Sequence, residues 1–449
     1  MGEHFGTDGI RGIPGKFPLV EDFVVRLGRE AARAVGGKNG GSVIIARDTR
    51  LSGEKLRDWL ARGMRAAGFE PLDTGIAPTP AVSYLVPQEK AAFGAVISAS
   101  HNPPEFNGIK FFSAAGVKLD ETAENAIEAA IAAGGEAAPD DKAANLKLPG
   151  RLTVPKPDYV RDYENFIVET AGVRLDGMKI VVDCANGAAY DIAPRAFERL
   201  GARVTAINCS ADGEKINRNC GALHPQTMCA KTAALGADCG FSLDGDADRV
   251  IFSDETGAVL DGDDIIAMAA LELKKEGRLK HDKVALTVMS NLGIVNGLKK
   301  LGVSCELTQV GDKYISQAME KEGLSLGGEA SGHIIFRDFL PTGDGLLSAV
   351  QAIALLKRSG MKMSDYGRLL PKYPQLLKAV TVKEKIPLEN VAGFDEMLRK
   401  QERTLSGGRI VVRYSGTEPK LRVLVEGPDR AAVERACESI LDFYTARAA

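Results

Sequence analysis

The chain has 449 residues, 45% of them hydrophobic and 26% charged, the proportions of an ordinary soluble globular protein long enough for about three domains. A formal net charge of −3 gives no general attraction for nucleic acid or a membrane surface, so an anionic ligand must be met by a local group of basic residues. No apolar run approaches the length of a membrane span, the first residues lack the apolar core of a secretory leader, and the seven cysteines include no Cys-x-x-Cys pair or zinc-ligand spacing; a cytoplasmic protein with reduced thiols is expected.

The chain opens on a loop, Phe5-Gly6-Thr7-Asp8-Gly9-Ile10-Arg11-Gly12, with Thr7 and Arg11 set among glycines. Such dense turn chemistry predicts an ordered loop that belongs to a site. Residues 43–48 then read as a buried strand, followed by a helix to about Ala67 and a stop at Gly68. The pattern returns at residues 179–184, with a helix over 192–200 and Gly201, and again at residues 283–288, with a helix to Leu301 and Gly302. Each copy has a later short apolar run that ends in a polar loop: residues 96–97 into 98–103, 241–243 into 244–249, and 324–326 into 327–333. Helices over residues 262–275 and 343–357 close the second and third copies. Continuous β-branched runs alternating with helices predict α/β domains with mixed, mostly parallel sheets, and the repetition predicts three related ones. Pro371 and Pro374 mark a linker over residues 370–374. Beyond it come a strand (378–383), a helix (391–403), a hairpin of strands 409–414 and 420–426, and a helix from about Asp429, which make a small α+β domain. The expected boundaries are 1–150, 151–255, 256–369 and 370–449.

Four loops carry chemistry. In Ser98-Ala99-Ser100-His101-Asn102-Pro103, at the end of a buried strand and ten residues before Lys110, a serine can act as nucleophile or phosphate carrier; a polar turn is the plain alternative. Asp244-Gly245-Asp246-Ala247-Asp248-Arg249 spaces three carboxylates at i, i+2 and i+4, able to surround a divalent cation, with Arg249 to neutralise further charge. An EF-hand is the rival here, but Arg249 stands where its loop needs glycine, and the flanks read as strands. Gly327-Gly328-Glu329-Ala330-Ser331-Gly332-His333 offers a carboxylate and a hydroxyl to vicinal sugar hydroxyls and an imidazole for acid–base work. Around Arg413, Ser415, Gly416, Thr417 and Arg422, backbone, hydroxyl and guanidinium donors crowd a hairpin turn and predict an anion cradle, with a charged exposed hairpin as the plain alternative. No G-x-x-x-x-G-K-[ST] loop is present, which argues against an ATP-dependent kinase.

Loops for carrier, metal, sugar and phosphate, one per domain, resemble the α-D-phosphohexomutase superfamily over essentially the whole chain. Residues 98–103 and 244–249 mark the superfamily. The Gly6-to-Gly12 start, Val288-Met289-Ser290-Asn291-Leu292-Gly293 and Val310-Gly311-Asp312-Lys313-Tyr314 point to the branch acting on glucosamine phosphates; Ala330 departs from that branch, which has an amide there. The resemblance implies four domains around a central cleft. It implies that Ser100 is carried as phosphoserine, with Mg²⁺ held by Ser100, Asp244, Asp246 and Asp248. It implies a hexosamine phosphate substrate whose phosphate meets Arg413, Ser415, Gly416, Thr417 and Arg422 and whose hydroxyls meet Glu329 and Ser331. Thr7 joins the binding residues, Lys110, His101 and His333 are the candidates for proton transfer and leaving-oxygen stabilisation, and Arg11 and Arg249 stand on the transferring phosphoryl group. The implied reaction interconverts glucosamine 6-phosphate and glucosamine 1-phosphate through glucosamine 1,6-bisphosphate, feeding UDP-N-acetylglucosamine and cell-wall precursor synthesis. Hinge closure over the phosphoserine is expected, no nucleic-acid or membrane partner is, and a homodimer is left open. A phosphoglucomutase or phosphomannomutase on the same scaffold, a Ca²⁺-binding module and a phosphatase are the rivals.

Overall fold

The structure, a computed structural model, describes residues 4–6, 8–37, 40–133, 158–415 and 419–448. Its contacts divide into two compact units, one of residues 1–288 and 306–364, the other of residues 289–305 and 365–449.

In the first unit, β1 (Ile10–Gly12), α1 (Glu21–Val35), β2 (Gly41–Arg47), α2 (Gly53–Ala66), β3 (Phe69–Ile76), α3 (Thr79–Gln88), β4 (Phe93–Ile97), β5 (Asn107–Phe112) and α4 (Glu121–Ala133) build one sheet and its helices, with strand order β3-β2-β4-β5-β1. Parallel β2 and β4 are buried along their centres rather than alternately, because helices cover both faces. Val43, Ile45, Ala95 and Ile97 join Leu27 of α1 and Leu56 and Leu60 of α2 in one core. On the opposite face Gly94 lies against Val82 and Val86 of α3.

The same plan follows in α5 (Tyr159–Thr170), β6 (Lys179–Asp183), α6 (Ile192–Arg199), β7 (Arg203–Ile207), α7 (Gln226–Leu235), β8 (Cys239–Leu243), β9 (Val250–Ser253) and β10 (Val259–Leu260), with order β7-β6-β8-β9-β10. The third copy comprises α8 (Gly262–Lys275), β11 (Lys283–Thr287), α9 (Leu292–Lys300), β12 (Ser304–Thr308), α10 (Asp312–Glu322), β13 (Leu326–Gly328), β14 (Ile334–Phe336) and α11 (Gly345–Ser359), with order β12-β11-β13-β14. α8 is started by a capping box between Asp261 and Asp264, and α11 by Asp344, whose carboxylate accepts from Leu347 N.

Four strands of each sheet thus share one order, β3-β2-β4-β5, β7-β6-β8-β9 and β12-β11-β13-β14, and β1 or β10 adds an edge to the first two. In each, the strand that follows the second crossover turns back into an antiparallel neighbour: β4 into β5, β8 into β9, β13 into β14. The connecting loops, residues 98–106, 244–249 and 329–333, hold equivalent positions in the three copies. They are also the loops singled out by their chemistry.

In the second unit α12 (Met363–Leu369) leads to β15 (Gln375–Thr381), α13 (Phe394–Thr404), β16 (Arg409–Tyr414), β17 (Lys420–Glu426) and α14 (Arg430–Ala448), and the sheet runs β15-β17-β16, antiparallel throughout. Phe394, Val423, Val425, Ile440 and Tyr444 centre its core. The helix α9, which the sequence pattern attaches to the third copy, groups with this unit. Gly293 and Gly297 explain it: a Cβ on either would stand 2.5 Å from Pro371 O or 2.6 Å from Leu370 Cδ2. Asn291 caps α9 and exchanges hydrogen bonds of 3.0 and 2.9 Å with the backbone of Tyr373.

Candidate active site

The loop after β8 supplies the acidic group. Asp244, Asp246 and Asp248 are buried, and one oxygen from each lies within 4.8 Å of the others. The turn is tight because Ala247 takes a left-handed conformation (φ +59°) and its N–H returns to Asp244 O. Gly245 is needed for close approach, since a Cβ there would stand 2.7 Å from Ser100 O. The EF-hand alternative is ruled out by the flanks, which are the strands β8 and β9 rather than helices.

Ser100 comes from the equivalent loop after β4. It is fully buried, left-handed (φ +51°), and donates from Oγ to Asp244 Oδ2 at 2.6 Å; His101 Nδ1 lies 3.2 Å from the same Oγ. Burial, with Arg249 and Arg11 nearby, pushes the His101 imidazole down to about 4, so the ring is neutral near pH 7. Lys110 stands on β5, buried, with Nζ 2.8 Å from Asp8 Oδ2 and 2.9 Å from Asp246 Oδ2. Burial alone would lower its pKa, but Asp246, Asp8 and Asp248 outweigh it and hold the ammonium above its ordinary value. Arg11, on β1, pairs with Asp8 and donates to Asn102 Oδ1 at 3.2 Å. Arg249 Nε lies 3.9 Å from Asp248 Oδ1.

The third loop brings His333, buried, with Nδ1 3.9 Å from Asp248 Oδ2. Glu329 accepts from Gly311 N at 3.0 Å and from Ser331 Oγ at 3.2 Å, and Ser331 is exposed to solvent. The first unit therefore gathers Ser100, His101, Lys110, Arg11, Arg249, the three aspartates and His333 around one point, with Glu329 and Ser331 on the third loop beside it.

Four participants escaped sequence reasoning. Asp8 is shared by Lys110, Lys118 and Arg11, which hold its carboxyl well below the ordinary range against the opposing effect of burial. Lys118 bridges Asp8 (3.1 Å) and Asp312 (2.5 Å), and Thr79 donates to Asp246 Oδ2 at 2.7 Å. Asp8 and Asp312 fall inside stretches that carry the family resemblance, which was the available signal; Lys118 gave none beyond its charge, and Thr79 none beyond its place at the start of α3.

In the second unit, taken by itself, Arg413 and Arg422 face each other directly across β16 and β17, and Ser415 N closes the turn on Lys420 O at 2.8 Å. Like charges opposite one another destabilise a strand pair unless an anion joins them. Thr7, Gly416 and Thr417 lie outside the described residues.

A divalent cation fits the acidic group. Asp246 Oδ1 and Asp248 Oδ1 are buried with no hydrogen-bond partner, and burial together with Asp246 and Asp248 pushes the Asp244 carboxyl up. Hard carboxylate oxygens left in that condition are the donor set for Mg²⁺.

Family models for the phosphoglucomutase/phosphomannomutase domains match the chain in order: α/β/α domain I over residues 2–138, domain II over 157–257, domain III over 261–373, and the C-terminal domain over 377–443. The chain belongs to this family, the α-D-phosphohexomutases, and is a phosphomutase, an isomerase that moves a phosphoryl group within a sugar phosphate. Within the family it is 41% identical over 442 residues to a phosphoglucosamine mutase of Carboxydothermus hydrogenoformans, covering 98% of this chain and 99% of that one. Among solved structures it is similar to a phosphoglucomutase/phosphomannomutase family protein of Burkholderia thailandensis (TM-score 0.80, 25% identity, covering 99% and 97% of the chains). It also shares the fold of an Aspergillus fumigatus N-acetylphosphoglucosamine mutase in complex with GlcNAc-6P and magnesium (TM-score 0.65, 20% identity, 90% and 83%). Among the described residues no helix is long and apolar enough to cross a membrane.

Proposed function

We propose that this chain interconverts glucosamine 6-phosphate and glucosamine 1-phosphate, with Ser100 as the phosphoryl carrier. The observation that carries the assignment is the 2.6 Å hydrogen bond from Ser100 Oγ to Asp244, which stands with Asp246 and Asp248, each keeping one buried oxygen without a hydrogen-bond partner. Phosphoserine gives its phosphoryl group to the free sugar hydroxyl: the new P–O bond forms as the Ser100 Oγ–P bond breaks, and the proton lost by the sugar hydroxyl is balanced by the one that the freed Ser100 Oγ takes up. The resulting 1,6-bisphosphate turns end for end and returns its other phosphoryl group to Ser100, leaving the isomeric monophosphate. Phosphoryl transfer demands positioning and charge stabilisation more than covalent help, which suits a buried site lined with cations.

Asp244, Asp246, Asp248 and a phosphoserine oxygen are the group that would hold Mg²⁺, which when bound supplies charge neutralisation for the phosphoryl group. Lys110 and Arg249 direct positive charge at the same point, and the neutral His101 ring is the hydrogen-bond partner of the carrier oxygen. Arg11 fixes the carrier loop through Asn102, and His333 faces Asp248 from the third loop. Glu329 and Ser331 take the sugar hydroxyls. Arg413, Ser415 and Arg422, with Gly416, Thr417 and Thr7 by sequence, are assigned to the phosphate that is not transferred.

Turnover on the 6-phosphates of glucosamine, glucose and mannose tests the substrate. A kcat/KM at least tenfold higher for glucosamine 6-phosphate is expected. Equal or higher values for glucose or mannose would assign the chain to phosphoglucomutase or phosphomannomutase chemistry instead.

A further inference from the structure

We propose that Arg50 is a positioning residue for the phosphoryl carrier: together with Asp48 it fixes residues 98–106 so that Ser100 keeps the backbone conformation that aims its Oγ at Asp244. The inference rests on the assignment of Ser100 as carrier.

Arg50 lies just beyond β2, in the neighbouring strand-end loop, and its side chain is completely buried. A guanidinium has five N–H donors in a rigid plane, and here all five are used. Nε donates to Asp48 Oδ2 at 2.9 Å; one terminal nitrogen donates to the carbonyls of Pro103 and Phe106, and the other to those of Ser100 (3.0 Å) and Asn102 (2.7 Å). One side chain therefore ties four carbonyls of the carrier loop. Asp48 completes the hold from the other side. Its Oδ2 accepts from Ser98 Oγ at 2.6 Å, and Ser98 Oγ accepts from Ser100 N at 2.9 Å. Both backbone polar groups of Ser100 are thus held, N–H through Ser98 and Asp48, C=O through Arg50. Asn217 adds a second donor to Ser100 O at 2.8 Å and to Asn102 O at 3.1 Å.

So much restraint has a purpose at this residue. Ser100 stands at φ +51°, a region a non-glycine residue keeps only when its surroundings over-determine it. An extended conformation would swing Oγ away from Asp244. Lysine cannot replace the brace, because three tetrahedral donors do not span Asp48 and four carbonyls. Arg50 reaches the chemistry only through the backbone of Ser100, so it positions and does not itself touch the reacting atoms.

The test uses the full-length chain, wild type beside Arg50→Lys and Asn217→Gly; glycine keeps the left-handed conformation of Asn217 and deletes only its amide. Intact mass gives phosphate on Ser100, ³¹P spectra its environment, and steady-state kinetics the split between kcat and KM. Both variants are expected to carry a displaced or broadened phosphoserine resonance and to lose kcat with KM within threefold, by roughly 100-fold for Arg50→Lys, the scale of an ångström of misplacement. If Arg50→Lys does not fold, Asn217→Gly decides alone. A wild-type protein that turns over without phosphate on Ser100 overturns the carrier assignment. Phosphate on Ser100 in all three proteins, with unchanged kcat and resonance in the variants, overturns the role of Arg50.

Discussion

Ser100 Oγ and Asp244 Oδ2 are joined by a 2.6 Å hydrogen bond across 144 residues of sequence. Each residue lies in the loop that turns a parallel strand into an antiparallel neighbour, one in the first sheet and one in the second. The fold repeats a sheet plan and gives the same loop different side chains each time: Ser100 in the first copy, the three aspartates in the second, and Glu329 with His333 in the third.

Three buried carboxylates so close together repel one another when no cation joins them. Asp248→Asn relieves that repulsion but also gives up the 3.8 and 3.9 Å ion pairs of Asp248 with Lys110, Lys118 and Arg249, so the metal-free variant is expected to lose less stability than the about 3–5 kcal/mol of a broken close buried pair. Saturating Mg²⁺ stabilises the parent by about 2.7 kcal/mol at a hundred times its dissociation constant, and the variant by far less. Thermal melts with EDTA and with Mg²⁺ check both statements; an equal Mg²⁺ response in the two proteins would remove Asp248 from the metal group.

Lys110 makes two close ion pairs in the buried site, with Asp8 and Asp246. Taking one partner out of a buried pair costs about 3–5 kcal/mol, and losing a group that acts on proton or charge movement costs roughly 10²–10⁴ in rate. Lys110→Met is expected to show both losses, measured by urea unfolding and by kcat. A variant that is less stable but turns over normally would make Lys110 structural only.

Much of this was legible in the sequence because it is local. Continuous apolar runs gave the parallel strands, polar residues at their ends gave the three loops, and the i, i+2, i+4 aspartates gave the acidic group. What escaped depends on distant partners. Lys118 meets Asp8 at 110 residues and Asp312 at 194, and nothing beside it in the chain announces either. Arg50 reads as a charged residue after a strand until four carbonyls from residues 100–106 close around it. The helix α9 follows β11 as a crossover helix should, yet its small residues Gly293 and Gly297 belong against residues 370–373, a pairing that periodicity alone does not reveal. In the C-terminal unit the helix expected from Val391 begins at Phe394, because left-handed Gly393 stands just before it.

Asp344 gives a pH dependence with a definite sign. Burial pushes its carboxyl up to about 7, against the hydrogen bonds from Tyr163 and the first amides of α11. The unfolded value is near 4 (about 3.9), so folding takes up a proton between about pH 4 and 7. Its cost to stability is absent below that window, grows as pH rises through it, and is complete above about 7. Asp344→Asn keeps an acceptor for Leu347 N and a partner for the Tyr163 hydroxyl while removing the charge. Urea unfolding at pH 5 and pH 8 should show the variant gaining on the parent by a few kcal/mol at the higher pH, on the order expected from a shift of that size. Parallel curves would show that Asp344 is charged in both states.

Phosphate on Ser100 tests the central claim most directly. The enzyme is prepared with its phosphoryl group mapped by mass and peptide analysis, then mixed with excess glucosamine 6-phosphate in a single turnover. Phosphate should leave Ser100, appear in a 1,6-bisphosphate and return to Ser100 as glucosamine 1-phosphate is released. Ser100→Ala should lower kcat by roughly 10³-fold or more, the scale of losing a covalent nucleophile. A phosphoryl group mapped to another residue, or a Ser100→Ala variant that turns over at the parent's rate, would contradict the account.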